Sequence, residues 1–273
     1  MGRTAIVTGA GSGIGQALAM EFARSGMNVV CCGRRIERLK ETAEKVVELG
    51  GEAFVVRVDV TQKEQIDEMV ARTLNHFGQI DVLFNNAGSF QTLGGLWEVD
   101  PDSWWHDVEV NLRGSMLCCQ AVLPHMMERD EGILINMSGG GAGGPLAGGT
   151  GYGCSKAAIL RLTDTLASEL KRVGSSVLVF AMDPEFNRTA MTEHLAEIPG
   201  AETWLPWIRE QLDTGHGKKP EDCARTTVEL IRRAIPELSG RAFHAGQNVA
   251  AIAEDATRIQ EQGLMTLRFR AWR

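Results

Sequence analysis

Tyr152 is the only tyrosine in the chain, and Lys156 follows it at i, i+4. On an α-helix that spacing puts the two side chains on one face. A phenol with a pKa of about 10 exchanges protons poorly at neutral pH. A neighbouring ammonium favours the phenolate and lowers that value, which would suit the pair to proton exchange with an alcohol or carbonyl oxygen. An isolated Y-x-x-x-K is also compatible with an inert surface pair, so the rest of the chain has to decide its meaning.

A second chemical element stands near the N-terminus. Thr8-Gly9-Ala10-Gly11-Ser12-Gly13-Ile14-Gly15 joins an apolar run to a segment of helical periodicity. Glycines there let the backbone turn and approach a pyrophosphate, and the following helix offers free N–H groups and a partial positive charge. No Gly-Lys-Ser/Thr follows, which excludes a Walker-type ATP loop.

Short apolar runs alternate with longer helical patterns around these elements. Strands are expected at Thr4–Thr8, Asn28–Cys32, Ala53–Val58, Val82–Asn85, Gly132–Met137, Ser176–Ala181 and Arg241–His244. Helices are expected at Ile14–Ser25, Arg35–Leu49, Gln62–Phe77, Ser103–Glu128, Tyr152–Arg172, Thr189–Leu212 and Pro220–Ala234. Strands apolar on both faces belong to a covered parallel sheet. The alternation implies an α/β fold: one Rossmann-like, doubly wound domain over residues 1–273, with about seven parallel strands and helices on both faces. No linker or repeat divides the chain, and the polar segment 248–273 is expected to be an irregular extension.

The T-G-x-x-x-G-x-G spacing resembles the short-chain dehydrogenase/reductase family. Asn85-Asn86-Ala87-Gly88 is similar to its N-N-A-G motif, Val110-Asn111 to its helix asparagine, and Tyr152-x-x-Ser155-Lys156 to its Y-x-x-S-K. The motifs occur in the family's order and cover about residues 4–245. The resemblance implies an oxidoreductase that moves a hydride between NADP(H) or NAD(H) and a carbonyl or secondary alcohol. It makes Tyr152 the general acid/base, gives Lys156 the nicotinamide ribose hydroxyls as well, and puts Asn111 on a water-mediated proton path. It places the cofactor against Gly9, Ser12, Gly13 and Ile14 in the first loop and against Asn86, Ala87 and Gly88 in the second. Asp59 and Val60 would meet the adenine, and Pro184 and Thr189 the nicotinamide.

Three departures from the family's pattern stand out. Its substrate-binding serine lies 13 residues before the tyrosine, where this chain has Gly139, so Ser138 is assigned as the donor that polarises the substrate oxygen. The family's Pro-Gly-x-x-x-Thr reads Pro184-Glu185-Phe186-Asn187-Arg188-Thr189, and the Glu185 carboxylate is expected to face solvent. NAD-preferring relatives carry an acid where Gly33 stands. Here Arg34-Arg35 follows instead, which suits a 2′-phosphate and favours NADP(H) over NAD(H).

A substrate lid is expected at 190–215, carrying Met191, Leu195, Ile198, Pro199, Trp204, Leu205, Trp207 and Ile208. These residues fit an apolar or ring-bearing substrate, and equally ordinary packing or a subunit contact. Trp97, Trp104 and Trp105 are expected to pack the long helix.

Twenty-eight Lys+Arg against 35 Asp+Glu leave a net charge of −7, which disfavours nucleic acid or an anionic membrane as a partner. The six cysteines form no CxxC and the histidines do not cluster, so no metal site is expected and the thiols read as buried, reduced hydrophobes. With no apolar run of membrane-spanning length and no signal-like N-terminus, a cytoplasmic enzyme is expected, as a homodimer or homotetramer by resemblance. Two other readings fit the motifs: a relative acting on a nucleotide-sugar or other biosynthetic intermediate, and a non-catalytic, cofactor-binding regulatory protein. Gly139 and Glu185 keep the last one open.

Overall fold

Runs rich in Val, Ile, Phe and Cys form the strands. These are β1 (Thr4–Thr8), β2 (Asn28–Gly33), β3 (Ala53–Arg57), β4 (Val82–Asn85), β5 (Ile133–Met137), β6 (Leu178–Asp183) and β7 (Ala242–His244). In the computed structural model, which describes residues 2–268, they make one parallel sheet of order β3-β2-β1-β4-β5-β6-β7. Helices α1 (Gly13–Arg24) and α2 (Ile36–Glu48) cover one face; α3 (Lys63–Phe77), α5 (Gly114–Glu128) and α6 (Thr150–Arg172) cover the other. Both faces of the central strands are buried, as Ile6 and Val7 show by joining opposite apolar cores. This is the expected single doubly wound domain.

The structure revises the reading in four places. The long helix expected at Ser103–Glu128 starts as α4 (Pro101–Val108), passes through a π-helical turn at Glu109–Arg113, and continues as α5. The expected helix Thr189–Leu212 is three short ones: α7 (Ala190–Glu197), α8 (Ala201–Trp204) and α9 (Pro206–Thr214). Pro199-Gly200 and Pro206 interrupt it, because proline lacks an N–H and restricts the residue before it, and Gly200 takes a left-handed φ of 89°. After α10 (Pro220–Arg232), the segment expected to be irregular forms α11 (Val249–Glu254) and α12 (Ala256–Glu261). Val249, Ala256 and Ile259 of these helices enter the core. The chain then passes the edge of β7, where Ala242 N donates to Met265 O at 2.8 Å, so a strand edge that would otherwise be open is partly paired. Residues 269–273 of the expected extension lie outside the described residues. Finally, Trp97 and Trp105 are not buried in packing as expected: Trp97 is 82 % exposed and sits edge-on to Trp204, and Trp105 is 60 % exposed.

Close packing at the top of β1 sets where everything else sits. A Cβ added at Gly15, in the first turn of α1, would lie 2.2 Å from Gly9 O and 2.6 Å from Asn86 Nδ2. Gly15→Ala should therefore lower stability by about 1–3 kcal/mol through overpacking against backbone. Gly143→Ala, where a Cβ meets nothing within 4 Å, should not. Urea unfolding of the two variants beside the parent checks this.

Candidate active site

Strands β1 and β4 are neighbours although their connections leave them for opposite faces, so a crevice opens beyond their C-terminal ends. It is a cleft of about 300 Å³. Its walls include every residue expected to hold the cofactor: Gly9, Ser12, Gly13 and Ile14 from the first loop, Arg34 after β2, and Asp59 and Val60 after β3. Asn86, Ala87 and Gly88 follow β4; Tyr152 and Lys156 come from α6; Pro184 and Thr189 close the far side. Ser138 lines it too. Arg35 lines it as well, and Glu185, Asn187 and Met191 are further wall residues that the motifs did not single out as cofactor contacts.

The two loops are fastened to each other. Thr8 Oγ1 accepts from Asn86 N and Ala87 N, each at 3.0 Å, and Asn86 Nδ2 donates to Thr8 O at 2.9 Å. At the other end, Arg35 Nη2 donates to Ser12 Oγ at 3.2 Å, so the second arginine closes the rim beside Arg34. A Cβ at Gly33 would meet only ordinary contacts at 3.5 Å or more, so no steric reason keeps an acid from that position. Thr189 reaches over the first loop: its Cγ2 lies 3.3 Å from where a Cβ would stand on Gly13.

Around Tyr152 the side chains are tightly ordered. Lys156 is buried, donates Nζ to Met137 O at 3.0 Å, and lies 5.4 Å from the centre of the Tyr152 ring. Asn111 does not line the cleft. Its Nδ2 donates to Ser89 O at 2.8 Å and to Ser155 Oγ at 3.0 Å, while its Oδ1 accepts from Ser89 N at 2.8 Å. Ser155 Oγ in turn donates to Tyr152 O at 2.6 Å. A Cβ on Gly88 would be 3.1 Å from Asn111 Oδ1 and 3.9 Å from Lys156 Nζ, so the three elements converge there. Ser138 Oγ is buried and has no hydrogen-bond partner.

One anchor was not visible in any motif. Asp107, in α4, is fully buried and accepts from Ser89 Oγ (2.5 Å), Gln91 N (3.0 Å) and Thr92 N (3.0 Å). With Asn111 it pins the loop after Gly88 from two sides. That loop carries Phe90, whose ring stacks on Tyr152 with centroids 4.4 Å apart and planes 10° apart. Phe90 belongs to a small apolar cluster with Leu195, Leu205, Ile208 and Leu212, against which Tyr152 itself packs.

The matches to known proteins agree with this geometry. The family model for short chain dehydrogenases matches residues 3–199. The chain belongs to the short-chain dehydrogenase family. It is 35% identical over 263 residues to a short chain dehydrogenase of Pseudocercospora fijiensis, covering 93% of this chain and 84% of that one. It is 34% identical over 242 residues to 3-oxoacyl-(acyl-carrier-protein) reductase of Thermotoga maritima, covering 88% and 94%. Among solved structures, a variant of actinorhodin polyketide ketoreductase with NADPH superposes with a TM-score of 0.80 at 29% identity, covering 89% of this chain and 95% of that one. The protein is thus an oxidoreductase of this family, and no helix among its described residues is long and apolar enough to cross a membrane.

Where this short-chain dehydrogenase departs from the family's motifs, the structure gives reasons. A Cβ at Gly139 would stand 2.6 Å from Tyr152 Oη, so the phenol occupies the space a side chain would need. Glu185 is exposed with a left-handed φ of 56°, the conformation the usual glycine adopts freely, and its N–H donates to Asp183 Oδ1 at 2.8 Å. Five cysteines are buried, and burial pushes Cys31, Cys119 and Cys223 up to about 12; the expectation of burial fails only at Cys154, which is exposed on α6.

The proton affinities also correct an expectation. Burial, followed by the Asp183 and Asp107 carboxylates, raises the Tyr152 phenol above its ordinary value instead of lowering it. Burial lowers the Lys156 ammonium to about 8, with Asp183 pulling the other way. Desolvation disfavours whichever form is charged and is the largest cause at both groups.

A lysine whose native pKa is depressed leaves the unfolded chain holding more protons between about pH 8 and its unfolded value of about 10.5, so its contribution to stability rises with pH across that window. Buried thiols and the phenol act oppositely, losing stability as their unfolded forms ionise. The expected result is therefore a difference: the stability gap between the parent and Lys156→Met should shift in the parent's favour by about 2 kcal/mol between about pH 7.5 and pH 9.5. Urea unfolding at both pH values checks it, and a gap independent of pH contradicts the lysine's depressed pKa.

Proposed function

We propose that the protein is an NADP(H)-dependent carbonyl reductase or alcohol dehydrogenase acting on a small apolar or ring-bearing substrate. The observation that carries this reading is the unpartnered Ser138 Oγ, buried in the same cleft as Tyr152 and Lys156. A buried hydroxyl without a partner costs free energy that a substrate oxygen would recover.

The cleft fits a dinucleotide on this chain's own features. Glycines and the α1 N-terminus form an anion-binding end, and Arg34 and Arg35 line the cleft, Arg35 bonded to Ser12, where a 2′-phosphate would sit. The relative solved with NADPH supports the same choice. Gly9, Gly13 and Ile14 would hold the pyrophosphate, Asp59 and Val60 the adenine, Asn86, Ala87 and Gly88 the adjoining ribose side, and Pro184 and Thr189 the nicotinamide. When bound, the nicotinamide supplies or accepts the hydride.

The chain's own residues do the rest. Ser138 Oγ donates to the substrate oxygen and polarises the carbonyl. Tyr152 Oη delivers a proton to that oxygen during reduction. The phenolate left behind is stabilised by Lys156, whose ammonium is held against Met137 O. Burial raises the affinity of Tyr152 for its proton, which suits it to give that proton only to a developing alkoxide, and the positive charge of the oxidised cofactor would lower it. Asn111, through Ser155, fixes the Tyr152 backbone, and its position next to Gly88 and Lys156 suits it to a relay from the lysine to solvent. Segment 190–215 acts as the lid. Its apolar cluster, shared with Phe90 and Tyr152, favours apolar substrate surface.

A homodimer or homotetramer is in keeping with Trp105, Met116 and Met127, which are exposed along α4 and α5. The buried thiols suit a reducing compartment such as the cytoplasm.

Two outcomes are expected. Tyr152→Phe should lower NADPH-dependent turnover of a panel of ketones and quinones by at least about 100-fold while cofactor binding persists. Turnover that survives removes the proposed acid, and tight cofactor binding with no turnover of any substrate by the parent favours the regulatory reading that Gly139 leaves open. Arg34→Ala should raise KM for NADPH by about tenfold or more and leave KM for NADH nearly unchanged. An unchanged KM for NADPH contradicts the 2′-phosphate assignment.

A further inference from the structure

Asp107 is a fully buried carboxylate that pairs with no cation among the described residues. Its Oδ1 accepts from Ser89 Oγ at 2.5 Å and from Gln91 N at 3.0 Å. Its Oδ2 accepts from Thr92 N at 3.0 Å and from Gln91 N at 3.1 Å. These donors flank Phe90 on both sides in the loop after Gly88. The Phe90 ring has little room to move. It stacks on Tyr152 with centroids 4.4 Å apart, and a Cβ on Gly149 would lie 2.8 Å from its Cζ. The helix that carries Asp107 also touches the start of the helix that carries Tyr152: Trp104 Nε1 donates to Thr150 Oγ1 at 3.0 Å. Two short routes therefore join the carboxylate to the phenol, one through the loop and one through the α4–α6 contact.

A neutral acceptor could hold the same loop. Burying a charge costs far more than burying an amide or a hydroxyl, so a charged anchor here points to a use of the charge. In a dry interior that charge is weakly screened and acts on any neighbour that ionises. Tyr152 is the neighbour that both routes reach. The charged groups around its phenol are Lys156 on its own helix, Asp183 at the end of β6 and Asp107 on α4. Of the two carboxylates only Asp107 is fully buried. We propose that Asp107 is a positioning residue for Tyr152: its clasp on Ser89, Gln91 and Thr92 sets Phe90 against the phenol ring, and its buried negative charge opposes a phenolate there. The inference rests on the reading of Tyr152 as the proton donor. It goes beyond that reading by giving the donor a partner on α4, outside the motif positions, that both aims the ring and restrains its proton.

The test uses the fact that Tyr152 is the only tyrosine in the chain. Difluorotyrosine incorporated throughout the protein labels that residue alone, and fluorination makes the phenol acidic enough to titrate while the fold holds. Fluorine NMR then reads two quantities without substrate or cofactor. One is the pH midpoint of the phenol; the other is its chemical shift, which the Phe90 ring current displaces. Phe90→Leu supplies the unstacked shift. Asp107→Asn removes the charge and keeps the clasp, because its oxygen can accept from Gln91 and Thr92 while its NH2 donates to Ser89 Oγ. Its midpoint should fall by about one pH unit with the stacked shift retained. Asp107→Ala opens the clasp, and its resonance should move toward that of Phe90→Leu. An Asn variant with the parent's midpoint overturns the proposal, and so does an Ala variant with the parent's chemical shift. If neither variant folds, Ser89→Ala, which removes one donor and leaves the carboxylate, decides instead. Its resonance should move part-way toward that of Phe90→Leu, and one that stays at the parent's position overturns the proposal. In NADPH-dependent ketone reduction, the alkaline limb of the kcat profile should move down in Asp107→Asn by the same amount as the midpoint. A limb that stays in place overturns the positioning role. A parent that reduces no ketone would instead reject Tyr152 as the proton donor and leave the midpoint difference standing, so the two failures are distinct.

Discussion

The site depends on one topological constraint: β4 pairs with β1, although the chain forms β2 and β3 in between. Right-handed crossovers then carry the chain to opposite faces of the sheet on either side of this pair, and the loops above it must part. What keeps the parted loops from collapsing or drifting is contact at the root of the cleft. Gly9 and Gly15 leave no room for a methyl group between loop and helix, and Thr8 and Asn86 tie the tops of the two strands together. The residues proposed to carry the chemistry follow β5 and lie on α6, both placed by the same sheet.

A second theme is the cost of burying charge. Tyr152 and Lys156 sit where water is scarce, and each is pushed toward its neutral form, the phenol protonated and the amine easier to deprotonate. The carboxylates of Asp183 and Asp107 strengthen that tendency at the phenol, and Asp183 opposes it at the lysine. Among the described residues Asp107 has no cation partner and is held by hydroxyl and backbone donors, an arrangement that tolerates burial because its oxygens are satisfied. The same carboxylate thus serves loop geometry and proton affinity together.

Most of the framework was legible in the sequence because its signals are local. Apolar runs and turn residues located all seven strands to within two residues, and β1 and β4 at their actual limits. Motifs spaced by backbone geometry brought Tyr152, Lys156 and the glycine loop into one cleft as expected. Where the reading failed, the deciding physics was not local. Periodicity across Pro199-Gly200 and Pro206 suggests one helix over Thr189–Leu212, while proline geometry breaks it. Helices α11 and α12 are six residues each, too short for a periodic signal, and owe their order to packing of Val249, Ala256 and Ile259. Asp107 looks like an ordinary polar residue of a helix. Its importance lies in burial and in which partners it has, and neither is written in spacing. The direction of the Tyr152 shift differs from expectation for the same reason: the lysine's proximity is visible in sequence, whereas desolvation is a property of the folded interior.

The stacking of Phe90 on Tyr152 ties together two things that evolution often varies separately. The Tyr152 ring, proposed as the acid, also packs against the apolar cluster, so a substitution at Leu195, Leu205 or Ile208 made to admit a different molecule is felt at Tyr152 itself. Change of substrate range along this lineage should accordingly proceed through paired substitutions, with the residue at position 90 drifting in step with those of α7 and α9.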